Sequence, residues 1–157
     1  MKIEIIGKFY DNHSLSIINR NLAIGLSKKH DIIITPLDAV NPDARVKKEH
    51  LEILDELSSK EIKLGEEAEL QLRHSYPPIW RWPVSDKTKV VFIQPWEWMK
   101  IPFEWQYKWE QFADGVIIPS KWLGDHILTA GLNPKKLHIV PNGYDDTLFN
   151  HEPVEKP

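Results

Sequence analysis

Five short apolar runs rich in β-branched residues, each stopped by or next to a glycine or proline, constrain this chain more than any other feature. They are Lys2-Ile3-Glu4-Ile5-Ile6-Gly7, Asp31-Ile32-Ile33-Ile34-Thr35-Pro36, Lys89-Val90-Val91-Phe92-Ile93-Gln94 before Pro95, Gly115-Val116-Ile117-Ile118-Pro119 and Leu137-His138-Ile139-Val140-Pro141. Near-continuous apolar strands of this length belong in a parallel sheet covered on both faces. Between the first two, Leu15, Ile18, Leu22, Gly25 and Leu26 recur at helical spacing, with Asn12 or Ser14 as the expected N-cap, so residues 2–36 read as a βαβ crossover. Leu51, Leu54 and Leu57 predict an amphipathic helix from Lys47 to Ser58, and Ala68 to Arg73 alternates like a strand. Helices are also expected over Phe103 to Phe112 and from a Ser120 cap to about Ala130, where Gly131 closes the last turn. The resulting fold class is α/β: a Rossmann-like three-layer domain with a mostly parallel sheet. In such a sheet ligands bind beyond the carboxyl ends of the strands, which directs attention to the loops after Gly7, Arg73, Gln94, Pro119 and Pro141.

Composition narrows the function classes. At 157 residues with 41% hydrophobic side chains, the chain can bury a core without staples. Its net charge of −3 argues against duplex nucleic acid as a partner. It has no cysteine, hence no disulfide frame, thiolate metal site or thiol nucleophile. No apolar run reaches the ~18 residues of a membrane span, and the N-terminus leads into a strand rather than a signal peptide, which fits a cytoplasmic location. The tail from His151 to Pro157 has little to bury. The domain is therefore expected over residues 1–150, with 151–157 as the start of an interdomain linker or a disordered tail.

The first strand is followed by Gly7-Lys8-Phe9-Tyr10, with no second glycine until Gly25, so the dinucleotide-binding G-x-G-x-x-G turn is missing. P-loop, nucleophile-elbow and H-E-x-x-H patterns are missing too. His13 and Ser14 stand at a helix N-terminus, where free amides favour an anion, although they can equally serve as caps. Six of the seven tryptophans fall between Trp80 and Trp109. Trp105 and Trp109 share a helical face and, with Trp80 and Trp82, read as core or interface anchors. Trp96 and Trp98 lie on a loop at the expected mouth of the sheet, where aromatic faces can stack on sugars or apolar ligands. Glu97 between them can orient or deprotonate a hydroxyl, and His74 is a second candidate for proton transfer. Lys121 at a helix start can hold a phosphate or simply be solvated.

The C-terminal third carries a pattern: Gly115-Val116-Ile117-Ile118-Pro119-Ser120-Lys121-Trp122, then Gly131-Leu132, then Lys136-Leu137-His138-Ile139-Val140-Pro141-Asn142-Gly143-Tyr144-Asp145, then Phe149. It resembles the end of the N-terminal domain of GT-B glycosyltransferases of the retaining family 4 type. Asn12-His13-Ser14-Leu15 through Asn19-Arg20-Asn21-Leu22 and Gln94-Pro95-Trp96-Glu97 are similar to a branch of the same family, whereas residues 40–68 match only in general character. The resemblance implies an acceptor-side domain that works with a C-terminal domain absent from this chain. That partner would bind a nucleotide-sugar donor, and the sugar would pass to a saccharide, lipid or protein acceptor.

It further implies Glu97 and His74 as catalytic candidates, His13, Ser14, Trp96 and Trp98 toward the acceptor, and Lys121, Asn142 and Gly143 near the donor phosphates. Where such enzymes often carry a histidine after the fourth strand, this chain has Gln94-Pro95-Trp96-Glu97, so Glu97 or His74 would take over that histidine's part. No metal or other cofactor is expected, peripheral contact with the inner face of a membrane is compatible with the family, and an undocked apolar face could pair two copies as a homodimer. The alternative is a non-enzymatic module that binds carbohydrate or protein and derives from a transferase domain.

Overall fold

The computed structural model describes residues 1–60, 67–98 and 100–144. Asp145 and Phe149 of the C-terminal pattern, and the expected tail, lie outside the described residues. Six strands and four helices follow in the order β1 (Lys2–Gly7), α1 (Ser14–Ser27), β2 (Asp31–Pro36), α2 (Lys48–Ser59), β3 (Leu70–His74), β4 (Lys89–Ile93), α3 (Phe103–Phe112), β5 (Gly115–Ile118), α4 (Lys121–Thr129) and β6 (Leu137–Ile139). A short 3-10 turn at Pro134–Lys136 leads into β6.

All strand pairings are parallel, in the sheet order β2-β1-β3-β4-β5-β6. The chain steps from β1 to β2 on one side and then crosses back to β3 on the other, so the order reverses between β1 and β3. Their carboxyl ends, Gly7 and His74, stand side by side in register. This reversal is the switch point at which doubly wound sheets open a crevice.

Alternation along the strands feeds two cores. On one face Ile3, Ile5, Ile32, Ile34 and Leu72 pack with Ala23 of α1 and Leu54 and Leu57 of α2. On the other, Val90, Phe92, Val116 and Ile118 pack with Trp105 and Trp109 of α3 and with Leu123 and Ile127 of α4. Each fully buried large side chain contributes roughly 1.5–3 kcal/mol. Burying both faces is what the continuous apolar strands require.

The β1–β3 part of the second face is polar. Glu4 and Gln71 are paired neighbours; Glu4 accepts from Thr35 Oγ1 at 2.6 Å and from Gln71 Nε2 at 2.7 Å. Gln71 Oε1 in turn accepts from Arg73 Nη2 at 2.6 Å, and Arg73 Nη1 donates to the carbonyls of Ile79 and Arg81 at 3.1 and 2.6 Å. The guanidinium is buried and also lies over the Phe92 ring, 5.7 Å from its centre. Burial, with Arg81 nearby, pushes its pKa down to about 10. A buried charge is tolerated only when it is fully engaged. Here that engagement fastens the loop after β3 to the sheet.

Four expectations change. Helix α1 turns Ser16, Asn19, Arg20 and Ala23 inward, while Gly25 is exposed. Leu22 and Leu26 only flank the core. The polar pair wins the inner face because Arg20 Nη1 donates to the carbonyls of Phe9 and Asp11 at 2.6 and 2.8 Å, and Asn19 is bonded as described below. The N-cap is His13, whose Nδ1 accepts from Leu15 N at 3.4 Å; the neighbouring Asn12 instead accepts from Arg45 N at 2.9 Å. Trp82 is 63% exposed, resting on Phe112 with ring centres 4.7 Å apart, whereas Trp80, Trp105 and Trp109 join the core as expected. Strand β3 starts at Leu70 rather than Ala68, whose carbonyl is taken by the Thr88 hydroxyl at 2.6 Å.

Candidate functional site

At the carboxyl ends of the strands the exit loops enclose a cavity of about 630 Å³. Lys8 comes from the loop after β1, His13, Ser14, Leu15 and Ile18 from the start of α1, Ser75 and Tyr76 from the loop after β3, Gln94 to Trp98 from the loop after β4, and Asn142 from beyond β6. Six residues singled out from the sequence thus converge: His13, Ser14, Trp96, Glu97, Trp98 and Asn142. A slightly larger cavity, about 730 Å³, lies between α3 and α4. Of its lining groups Lys100 and Asp125 are charged; Asp125 already pairs with Lys121 at 2.8 Å, and His126 Nδ1 bonds the Trp122 carbonyl at 2.8 Å. Another of about 630 Å³ lies at the opposite ends of β4 and β5, lined by Lys89, Val90 and Asp114. Sheet topology favours the first.

The cavity walls are set by the fold. Gln94 is buried, its backbone N–H donating to the Ile117 carbonyl at 2.9 Å and its side chain to the Pro95 carbonyl at 3.1 Å, which turns the chain outward after β4. Trp96 Nε1 then donates to the Lys100 carbonyl at 3.2 Å, and its ring meets the buried Trp105 edge-on at 4.9 Å. Glu97 and Trp98 follow as exposed groups at the rim.

At the switch point one side chain joins the two strands. Asn19 Nδ2 donates to the Lys8 carbonyl at 3.0 Å and the His74 carbonyl at 3.1 Å, and Asn19 Oδ1 lies 2.7 Å from His74 Nδ1. Two carbonyl partners fix which amide atom is the nitrogen, so Oδ1 must accept and His74 Nδ1 must carry the proton. Burial pushes the His74 pKa down to about 4, so near pH 7 the ring is neutral and this proton on Nδ1 is its only one. Among the described residues its Nε2 has no hydrogen-bond partner. A Cβ on Gly7 would collide with the Asn19 amide and come within 2.5 Å of the His74 carbonyl oxygen. The glycine after β1 thus makes room for this amide, not for a pyrophosphate.

Three residues singled out from the sequence stand apart from the cavity lining. His74 is buried at the strand end, its ring engaged by Asn19. Lys121 is exposed in the first turn of α4, which Ser120 caps by accepting from Leu123 N at 3.3 Å, and it pairs with Asp125. Gly143 is exposed. Sequence reasoning missed Tyr76, Gln94 and Asn19, whose parts depend on strand pairing. Among the described residues no cluster of three or more histidine or acidic side chains could hold a metal, and no helix is long and apolar enough to cross a membrane.

A six-stranded parallel sheet covered by helices, with a polar and aromatic cavity over its switch point, defines a Rossmann-like domain. Residues 72–148, from within β3 past β6, match the family model described as Glycosyltransferase Family 4, and over that stretch the chain is similar to glycosyltransferases of that family. No curated protein matches the chain.

Proposed function

We propose that this domain is the acceptor-side, N-terminal half of a GT-B glycosyltransferase, acting in the cytoplasm and inactive without a C-terminal domain that binds the nucleotide-sugar. The observation that supports this most is the gathering of His13, Ser14, Trp96, Glu97, Trp98 and Asn142 around one cavity at the strand carboxyl ends of a domain similar to family 4 over residues 72–148. In this reading the acceptor's apolar face lies on the tryptophans and its reacting hydroxyl on Glu97, which draws the proton as the bond to the sugar forms. His13 and Ser14 bond further hydroxyls of the acceptor. Asn142, on the wall nearest the end of the described chain, faces the donor's phosphates, whose departing charge the C-terminal domain stabilises. His74, buried and neutral, holds the geometry of the switch point, so proton transfer falls to Glu97. No metal or other cofactor enters this scheme.

The test is calorimetric titration of the chain with UDP-glucose and GDP-mannose. The reading expects binding no tighter than about millimolar, or about −4 kcal/mol. Micromolar binding would place the donor site on this domain and contradict the division of labour.

A further inference from the structure

We infer that the cavity receives an extended, neutral glycan laid along a shelf of three rings, Tyr76, Trp96 and Trp98; this deepens the acceptor reading and rests on it. The rings come from two loops, Tyr76 after β3 and the tryptophans after β4. Trp96 in the middle touches both others: its ring centre is 6.4 Å from Tyr76 with a 35° tilt, and 6.2 Å from Trp98 with a 33° tilt. Each face is thus turned only moderately from its neighbour, unlike the edge-on packing of Trp105 against Trp96 at 62°.

The shelf is braced at its centre and open at its ends. Trp96 is fixed by its bond to the Lys100 carbonyl and by the edge of Trp105, which also meets Tyr76 at 6.2 Å and is itself buried in the core. Tyr76 is 63% and Trp98 71% exposed. Two large rings, held beside a cavity and left in water, are surface the fold itself does not use.

The lining selects the ligand's chemistry. A pyranose offers an apolar C–H face for a ring and a rim of hydroxyls for polar groups, and His13, Ser14 and Glu97 share the cavity with the shelf. The lining's one lysine, Lys8, already pairs with Asp11 at 3.8 Å, and its one glutamate, Glu97, would repel an anion, which disfavours an anionic ligand. A lipid chain would strip water from those polar groups and pair none of them. A cavity of about 630 Å³ has room for more than one sugar ring. Successive sugars would therefore lie on successive rings.

The test follows the indole N–H signals of Trp96 and Trp98 by NMR while the chain is titrated with glucose, maltose, maltotriose, cellotriose and triacetylchitotriose. A trisaccharide should bind at least about tenfold more tightly than its monosaccharide. Tyr76→Ala and Trp98→Ala, both at mostly exposed positions, should each weaken the trisaccharide at least about fivefold and the monosaccharide less. Affinity independent of chain length, no response of either indole to any of these sugars at about 20 mM, or tighter binding of a short-chain phospholipid would overturn the inference. Those failures leave the acceptor reading standing wherever sugar transfer still depends on Glu97, so the two are separable.

Discussion

Asn19 grips His74 at both ends, accepting from its ring Nδ1 at 2.7 Å and donating to its backbone carbonyl at 3.1 Å. The same amide reaches the Lys8 carbonyl, so one buried side chain ties the exit of β1 to the exit of β3 where the crevice opens. Replacing it by the near-isosteric Asn19→Leu leaves two carbonyls and a ring N–H without partners. The expected loss is about 3 kcal/mol, since each unsatisfied buried group costs about 1–3 kcal/mol and relaxation recovers part. Urea unfolding at pH 7 measures it, and a change below about 1 kcal/mol would show that the clamp carries little of the fold.

The neutral ring also makes stability depend on pH. Folded, His74 has its pKa pushed down to about 4 by burial; unfolded, it protonates near its ordinary 6.5. Below that ordinary value the unfolded chain binds a proton that the native one does not. His74's contribution is therefore full above pH 6.5 and is lost as the pH falls toward 4, amounting to about 2 kcal/mol between pH 7 and pH 5. Unfolding curves at the two pH values should show this loss in the wild type, and His74→Gln should remove it. A slope unchanged in the variant would contradict the buried neutral ring.

Two glycines should respond to alanine with opposite signs. At Gly7 the new methyl meets the Asn19 amide and the His74 carbonyl, which cannot both yield, so Gly7→Ala should cost about 3 kcal/mol or more by overpacking. At Gly25, exposed within α1, nothing lies within 4 Å of a Cβ. Gly25→Ala should stabilise by about 0.5–1 kcal/mol through helix propensity and a less flexible unfolded chain. Thermal melts of both variants check the pair, and equal effects would refute the placement of either residue.

Much of this was readable in the residues. The five β-branched runs announced five of the six strands, and their apolar continuity announced a parallel sheet with two covered faces. Helix α3 runs over the predicted residues, and Ser120 caps α4 as its position implied. Trp96, Glu97 and Trp98 were legible because a rule of topology places ligands after strand ends. Asn19 was not. Apolar periodicity marks the leucine stripe of α1, whereas Asn19 and Arg20 face inward because partners from Lys8 to Asp11 and at His74 await them. The partner at His74 depends on the register of β1 against β3, which pairs residues 67 apart in sequence and leaves no local trace. Tyr76 was hidden likewise, since Arg73 holds its loop through carbonyls that carry no side-chain signature.

Whether the cavity holds the hydroxyl that receives the sugar, as proposed above, is decided by the rate of sugar transfer across a range of acceptor concentrations, at saturating donor, in a protein that joins this domain to its proposed C-terminal partner and carries Glu97→Gln. Glu97 is exposed, so the variant should fold as the wild type does. The expected result is a fall in kcat of about 100-fold or more with KM little changed, the size that losing a positioned base produces. Transfer at the wild-type rate would contradict it and leave the cavity as a site that binds without reacting.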